Sequence, residues 1–503
     1  MNLSWKSLAS PQVSRRDLAI GLAIGITGAL IGLLLTLAGP AVAIGALLGV
    51  LAGLYVLTNL QAALQVLLAV VMLLPFGTLP FKLIVTPTLL DVALGAFILV
   101  WLMQWMTGRR SRLHLTPVHL LVVLYVLWLL LSFALGLRFA APTPNRLRQF
   151  AETLLAISMA FVLVDMLRRP EMLRRLVTLL VLLVGLQALV AVTLYVLPDD
   201  FSERALVRLA RIGYPNGGVI RYIESNPALA ERAIGTWVDP NLLGGTLAVT
   251  STLVAGQLFA TRPVLRWRWF TLAILVVSVV ALFLTYSRAS LLALCAGLLF
   301  IGVVRYRRFL AALPLVAAGV LALPWSQTWL ERLVQAFTGA DLATQMRLGE
   351  YSDALRLINR YPLTGVGFTG SPSIDLYTDV ASMYLIMANQ IGLIGVGLFL
   401  TMMAGLFLLG LRAWRRLRTC EELDAIHLGV HAALFTLLVN SVADMYFFRL
   451  DFQGSISLFW LLIGLALASS NLGSKRPLTA REDTGTIEAQ ANTTTFRLTH
   501  RPL

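Results

Sequence analysis

Long apolar runs alternate with short arginine-rich clusters along nearly the whole chain. An α-helix needs about 20 predominantly apolar residues to cross a hydrocarbon core of about 30 Å. Such runs lie near 18–38, 41–58, 61–76, 88–106, 117–136, 149–167, 173–197, 241–260, 269–285, 289–304, 309–323, 383–411, 426–447 and 454–470. Between 269 and 304 there is one charge, Arg288. A single helix of that stretch would be about 54 Å long at about 1.5 Å per residue. It must therefore fold back at Thr285-Tyr286-Ser287-Arg288. The pattern predicts an all-α, polytopic transmembrane bundle of about 14 spans, 12–14 allowing for the short ones. Two wide gaps, 198–240 and 324–382, read as long extracytoplasmic loops with short surface helices. They delimit an N-terminal bundle over 1–197, the first loop over 198–240, and a catalytic region over 241–470 that contains the second loop. The remainder, 471–503, is a polar, Thr-rich tail expected to be disordered.

Composition supports the membrane reading. The chain is 58% hydrophobic and 13% charged, more apolar surface than a soluble domain hides. A net charge of +15 invites a nucleic-acid partner. The placement of the charge argues otherwise. With both termini cytoplasmic, 25 of the 40 Lys and Arg fall inside and 15 outside. The inside ones crowd into short loops and the tail, as the positive-inside rule describes. The expected location is the inner (plasma) membrane, with no nucleic acid bound. Ala41-Val42-Ala43 mimics a signal-peptidase site, but the preceding apolar stretch is long for a signal peptide and more spans follow, so an uncleaved first helix is expected. Cys295 falls in a span and Cys420 in a cytoplasmic loop, and the five histidines show no ligand spacing. Neither a disulfide framework nor a metal site is expected.

Charged side chains within spans are costly and usually functional. Asp91, Glu152 and Asp444 fall near outer helix ends, with Arg138, Arg146, Arg148, Arg288 and Arg449 on the same side. They either form ion pairs that fix packing or line a shared outward cavity. Asp165 lies at the other side beside Arg168, where a local ion pair is expected. Of the 40 basic residues 37 are Arg; high-GC coding is the plain explanation, yet the planar guanidinium also suits phosphate. The first long loop ends in Arg232-Ala233-Ile234-Gly235-Thr236-Trp237-Val238-Asp239-Pro240-Asn241. Pro240-Asn241 can open a helix, placing Arg232 above a helix N-terminus, and both favour anions. In the second loop, Leu348, Tyr351, Leu355 and Ile358 make one apolar stripe of a surface helix, which Pro362 ends before the turn Gly365-Val366-Gly367.

In this order, Arg-x-x-Gly-x-Trp-x-x-Pro-Asn at 232–241, Ser287-Arg288, Arg347…Tyr351…Ala354-Leu355…Pro362-Leu363-x-Gly365-Val366-Gly367, and Tyr384-Leu385…Gly392-Leu393-Ile394-Gly395 resemble the O-antigen ligase and O-antigen polymerase family of bacterial cell-surface glycan enzymes. The resemblance is close over about 230–400. It implies a metal-independent glycosyltransferase with no cofactor. Such an enzyme moves glycan from a polyprenyl-pyrophosphate carrier to a sugar hydroxyl, on a growing glycan or a lipid acceptor, at the outer face of the membrane. By the matching positions, Arg232 and Arg288 hold the pyrophosphate, Arg288 also acts in catalysis, and Arg347 orients the donor or the loop. Asn241, Glu350 and Tyr384 support them. Membrane lipids and the lipid-linked glycan are the expected partners.

One departure matters. Ligases of the family carry a His-Asn pair before the final Tyr-Leu, where this chain reads Ala381-Ser382-Met383-Tyr384-Leu385. Asp379, with Asp375 second, is the nearest group to take the acceptor proton; Asp379 could instead cap the following helix. The missing His favours polymerisation over ligation. A lipid-linked glycan flippase or transporter and a noncatalytic envelope-assembly scaffold are the alternatives. Transporters commonly show matched halves and a midplane site; this chain shows neither.

Overall fold

The computed structural model describes residues 49, 51–79, 84–110, 113–311, 314, 318–319, 334, 342–370, 380–417 and 420–474. The chain divides into two compact units, Met1–Ala63 and Leu64–Leu503. Of the first, helix Leu51–Thr58 is the main described piece. Helix α1 (Leu60–Leu73) runs on into the second. There follow α2 (Leu89–Met106), α3 (Val118–Gly136), α4 (Pro144–Met166) and α5 (Pro170–Val196). The first long loop holds α6 (Asp199–Arg208) and a two-stranded antiparallel hairpin, β1 (Arg221–Tyr222) with β2 (Glu231–Arg232). Then come α7 (Pro240–Leu258), α8 (Arg268–Leu284), α9 (Arg288–Val304), α10 (Leu342–Arg360), α11 (Met383–Leu417), α12 (Glu421–Asn440) and α13 (Gln453–Ser474).

The protein is a multi-pass, all-α membrane protein. Among the described residues seven helices, α2–α5 and α11–α13, are long and apolar enough to cross a membrane; Leu51–Thr58 and α1, bent by 116° at the break between them, make an eighth only if the pair is counted as one broken span. Helices α8 and α9 are shorter, at 17 residues each, and join at the fold-back expected at 285–288. Fourteen spans are not reached among the described residues. The run near 18–38, half of 41–58 and most of 309–323 lie outside the described residues. Several boundaries move. The run 426–447 is helical only to Asn440, which leaves Asp444 in the following loop, and the last helix continues past 470 to Ser474. Most of the expected tail, from 475 on, lies outside the described residues.

Burial sorts the helices. The most apolar window of α13 is 89% buried and that of α12 78%, against 33% for α2 and α3. Helix α7 is buried from Leu242 to Gln257 and packs against α8, α9 and α12. Between α7 and α12 the backbones nearly touch, since a Cβ on Gly256 would lie 2.8 Å from Gly429 Cα. Small residues permit this approach, and polar side chains then bind the pair in a medium that offers no water. Thr252 and Thr436 share a 2.9 Å hydrogen bond, and Gln257 Nε2 donates to Ala425 O at 3.0 Å.

Helix α11 is broken. Gly392 has φ 67° and ψ 177° inside it, and the freed carbonyls need donors. Val366 N donates to Asn389 O and Gly367 N to Gln390 O, both at 2.8 Å. Trp128 Nε1 donates to Ile391 O and Ser132 Oγ to Gln390 O, also at 2.8 Å. The Pro362–Gly367 turn therefore packs into the break in α11. Its glycines serve backbone contact, since a Cβ on Gly365 would lie 2.6 Å from Gln390 C.

The two ends of the bundle differ in chemistry. At one end, Arg110 and Arg168 both bond Asp165, Arg174 pairs with Glu422 at 3.8 Å, Arg262 with Glu421 at 3.2 Å, and Arg305 with Asp424 at 3.1 Å. These pairs join the expected cytoplasmic clusters. At the other end, Arg148 bridges Asp91 at 2.7 Å and Glu152 at 3.0 Å. Asp91 also closes a capping box with Thr88. For Asp91 and Glu152 the ion-pair reading holds.

Candidate functional site

The site is assembled where the first loop enters α7. Strand β2 ends at Arg232, and Ala233 N donates to Leu284 O at 2.8 Å, tying the loop to the end of α8. Arg232 Nε donates to Thr285 O at 2.8 Å and its Nη2 to Asn241 Oδ1 at 2.6 Å. Arg232 thus meets both the 285–288 fold-back and the first turn of α7. Trp237 is fully buried and anchors the loop through Nε1 to Met72 O at 3.1 Å. Val238 and Tyr286, on the two sides of this junction, have φ of 64° and 51°. A β-branched residue in that region is strained, and strain persists only where surrounding contacts over-determine it.

The cap of α7 is Asp239. Its Oδ1 accepts from Asn241 N at 2.8 Å and Leu242 N at 2.9 Å, and Tyr446 Oη donates to it at 3.0 Å. The expectation that the α7 N-terminus faces an anion is corrected: its own carboxylate takes those amides. Helix α9 differs. Its first residue is Arg288, and the side chain of its cap residue Ser287 makes no capping bond, pairing instead with Ser290 Oγ at 2.8 Å. Glycines let α7 into the junction: a Cβ on Gly244 would lie 2.9 Å from Ser287 Cβ, and one on Gly245 2.9 Å from Asn440 Nδ2.

The second loop reaches the same place through α10. Arg347 Nη2 lies 3.7 Å from Asp444 Oδ1, and Asn440 Nδ2 donates to Asp444 Oδ2 at 3.2 Å. Asp444 is fully buried. Burial pushes its carboxyl up to about 7; Asp239 adds to the rise, while Arg347, Asn440 and Arg232 oppose it. Glu350 Oε2 accepts from Ala381 N at 3.0 Å and Tyr351 Oη donates to Ala381 O at 3.2 Å, docking α10 on the start of α11. Met383 N, the first of α11, donates to the carbonyls of Ser441 and Asp444. Tyr384 Oη donates to Leu438 O at 2.9 Å, tying α11 to α12. The apolar stripe expected on α10 lies on a helix as read, and it is not the face packed on the protein. Leu348 and Leu355 are 59% and 54% exposed, while Ala354 and Leu357 form the buried face. The helix rests on the protein through Ala354 and Leu357, with Leu348 and Leu355 outward and Tyr351 and Ile358 half-buried between.

Arg232, Asn241, Arg347, Glu350 and Tyr384 are thus placed around one junction with Asp444. Arg288 stands three residues past Thr285, whose carbonyl Arg232 holds. Asp379 and Asp375 lie outside the described residues. Asp239, Asn440 and Tyr446 were not foreseen as site residues. Asp239 had a signal, an Asp before Pro-Asn, which is an N-cap pattern; Asn440 and Tyr446 had none.

Residues 273–400 match the family model described as O-antigen ligase. No curated protein matches. A chain from a solved structure titled "Structural coordination of polymerization and crosslinking by a peptidoglycan synthase complex" aligns at 19% identity over 71% of this chain and 98% of that one, with a TM-score of 0.37, too low to argue a shared fold. The matched stretch holds the fold-back with Arg288, helix α10 with Arg347, and the broken first half of α11; over residues 273–400 the chain resembles the O-antigen ligase family, as the order of its motifs implied.

Proposed function

We propose that this protein transfers glycan from a polyprenyl-pyrophosphate carrier to a sugar hydroxyl at the outer face of the inner membrane, polymerising repeat units. The observation that carries the reading is the contact of Arg232 with Thr285 O. It draws together two arginine motifs 53 residues apart, at the end of the bundle away from the cytoplasmic-type arginine clusters.

In the reaction the acceptor oxygen bonds to the anomeric carbon, the bond from that carbon to the phosphate oxygen breaks, and polyprenyl pyrophosphate leaves with the bonding electron pair. Arg232 and Arg288 meet the charge that builds on the leaving phosphate; preorganised donors aimed at such charge are strong catalysts in a water-poor site. Arg347 orients the donor. Asn241 and Glu350 hold Arg232 and α10 in place. The acceptor proton passes to a carboxylate. Asp379 is the group nearest the missing His in sequence, and Asp444, beside Arg347, is the second. A carboxyl poised near 7 suits a general base at neutral pH.

The test uses purified protein and lipid-linked repeat units, alone and then with a separate acceptor. Longer glycan on the carrier supports polymerisation, and acceptor-linked product supports ligation. Lipid translocation in vesicles without glycan transfer overturns the enzyme reading.

A further inference from the structure

Tyr446 lies two residues past Asp444, on the stretch between α12 and α13. It is buried in one apolar cluster with Trp237, Leu242, Leu243 and Leu247. Phe452 meets its ring edge-on, with centroids 4.8 Å apart, and Ser455 Oγ donates to its carbonyl at 2.6 Å. The clamped ring brings its hydroxyl to Asp239 Oδ1, the atom that caps α7. A phenylalanine would fill the same apolar space. Nor does the cap need the hydroxyl, because Asp239 Oδ1 already accepts the Asn241 and Leu242 amides. Packing and capping leave the hydroxyl without a reason to be there.

The direction of the neighbouring hydrogen bonds supplies one. A guanidinium only donates, so the end of the Asn241 amide that meets Arg232 is Oδ1, 2.6 Å from Nη2. The other end, Nδ2, can only donate and needs an acceptor. The Asn241 side chain is hydrogen-bonded to the Tyr446 hydroxyl as well. A hydroxyl serves both neighbours: its oxygen accepts from Asn241 while its proton goes to the Asp239 carboxylate. Donation therefore runs one way, from Arg232 to Asn241, to Tyr446, to Asp239. Bonds aligned in such a chain polarise one another, and the carboxylate at its end strengthens the last of them. Thr285 O holds Arg232 Nε separately, so the two contacts together set the plane of the guanidinium.

We infer that Tyr446 is a positioning residue for the donor site: its hydroxyl locks the orientation of the Asn241 amide and, through it, the guanidinium of Arg232, and it anchors that arginine to the segment carrying Asp444. Without the hydroxyl the amide can turn, presenting Nδ2 to a group that cannot accept, and Arg232 loses one of its two fixed points. The inference rests on the reading of Arg232 as a ligand of the pyrophosphate.

The test is a double-mutant cycle on the full-length protein in nanodiscs, with lipid-linked repeat units as donor and the pH held well above the acid limb of activity. Tyr446→Phe keeps the ring and its apolar contacts. It should lower kcat/KM for the donor about tenfold, the scale of one hydrogen bond. In an Arg232→Lys background the same change should alter kcat/KM by less than about twofold, because the group it positions is already gone. An equal fold-loss in both backgrounds, or no loss in either, overturns the proposal and leaves a tyrosine that serves the fold alone. Should Tyr446→Phe be recovered unfolded, Ser455→Ala, which releases the Tyr446 carbonyl and keeps the hydroxyl, takes its place in the cycle with the same two outcomes. Binding of polyprenyl pyrophosphate against polyprenyl monophosphate separates the two levels. A wild-type protein that does not prefer the pyrophosphate overturns the reading of Arg232 and the role of Tyr446 with it; a preference kept while the cycle is additive strikes the role of Tyr446 only.

Discussion

The guanidinium of Arg232 is fixed by a backbone carbonyl and an amide oxygen, two acceptors set at different angles. A lysine keeps the charge but not the planar fork. Arg232→Lys and Arg288→Ala should each lower glycan transfer by about a hundredfold or more, with detergent-solubilised protein still monodisperse by size exclusion; near-normal turnover in either would remove these residues from the site. Asp444 carries the pH prediction. A base works only when deprotonated, so if Asp444 takes the proton, activity falls as pH drops through about 7, the value to which burial raises it. Facing it are Arg347 from α10, Asp239 and Arg232 from the first loop, and Asn440 from α12. Arg347 opposes the rise, so Arg347→Ala should move the acid limb to higher pH as well as slow the reaction. Asp444→Asn should abolish the limb. A limb unchanged in Asp444→Asn, but lost in Asp379→Asn, would make Asp379 the base. Burial, and then Asp199, push the Glu231 carboxyl up to about 7 as well, so Glu231→Gln is the control.

Among the elements, the broken α11 ties sequence motif to architecture most directly. Pro362-Leu363-Thr364-Gly365-Val366-Gly367 reads as a helix stop and turn and Gly392-Leu393-Ile394-Gly395 as a motif of the family resemblance, and the structure shows them as two halves of one backbone junction. A Cβ on Gly392 would lie 2.6 Å from Thr364 N, at a φ that side chains rarely adopt. Gly392→Ala should therefore cost about 1–3 kcal/mol, read as a lower apparent Tm. Activity per folded molecule should fall too, because the half-helix from Met383 to Ile391 meets Asp444 at its first residue. An unchanged Tm would show that the break is not held by this junction. Helix α10 illustrates a limit of periodicity. Its stripe at 348, 351, 355 and 358 is real, but Ala354 and Leu357 pack inward while Leu348 and Leu355 face out. At a membrane surface the apolar face need not be the protein-facing one.

Across the whole molecule, arginine clusters gather at one end and the candidate site at the other. Single cysteines replacing Arg221 in the first loop and Arg262 between α7 and α8, in a background lacking Cys295 and Cys420, should react with an impermeant maleimide from opposite sides of intact cells, with Arg221 outside. Labelling from the same side would undo the topology and the proposed outer-face chemistry with it. Helix positions were legible in the sequence because a bilayer forces each span to satisfy its own backbone within about 20 apolar residues, a local condition that hydropathy reads directly. The arginine clusters were legible for the same reason. The sequence also singled out Arg232, Arg288 and Arg347 as candidates through the order of their motifs. What it did not carry was which ends meet. That Arg232 reaches Thr285, that Arg347 finds Asp444 across nearly a hundred positions, and that Asp239 occupies the α7 cap with Tyr446 upon it depend on how buried helices close against one another at glycines and small polar residues. Those contacts are long-range, and only packing in three dimensions decides them.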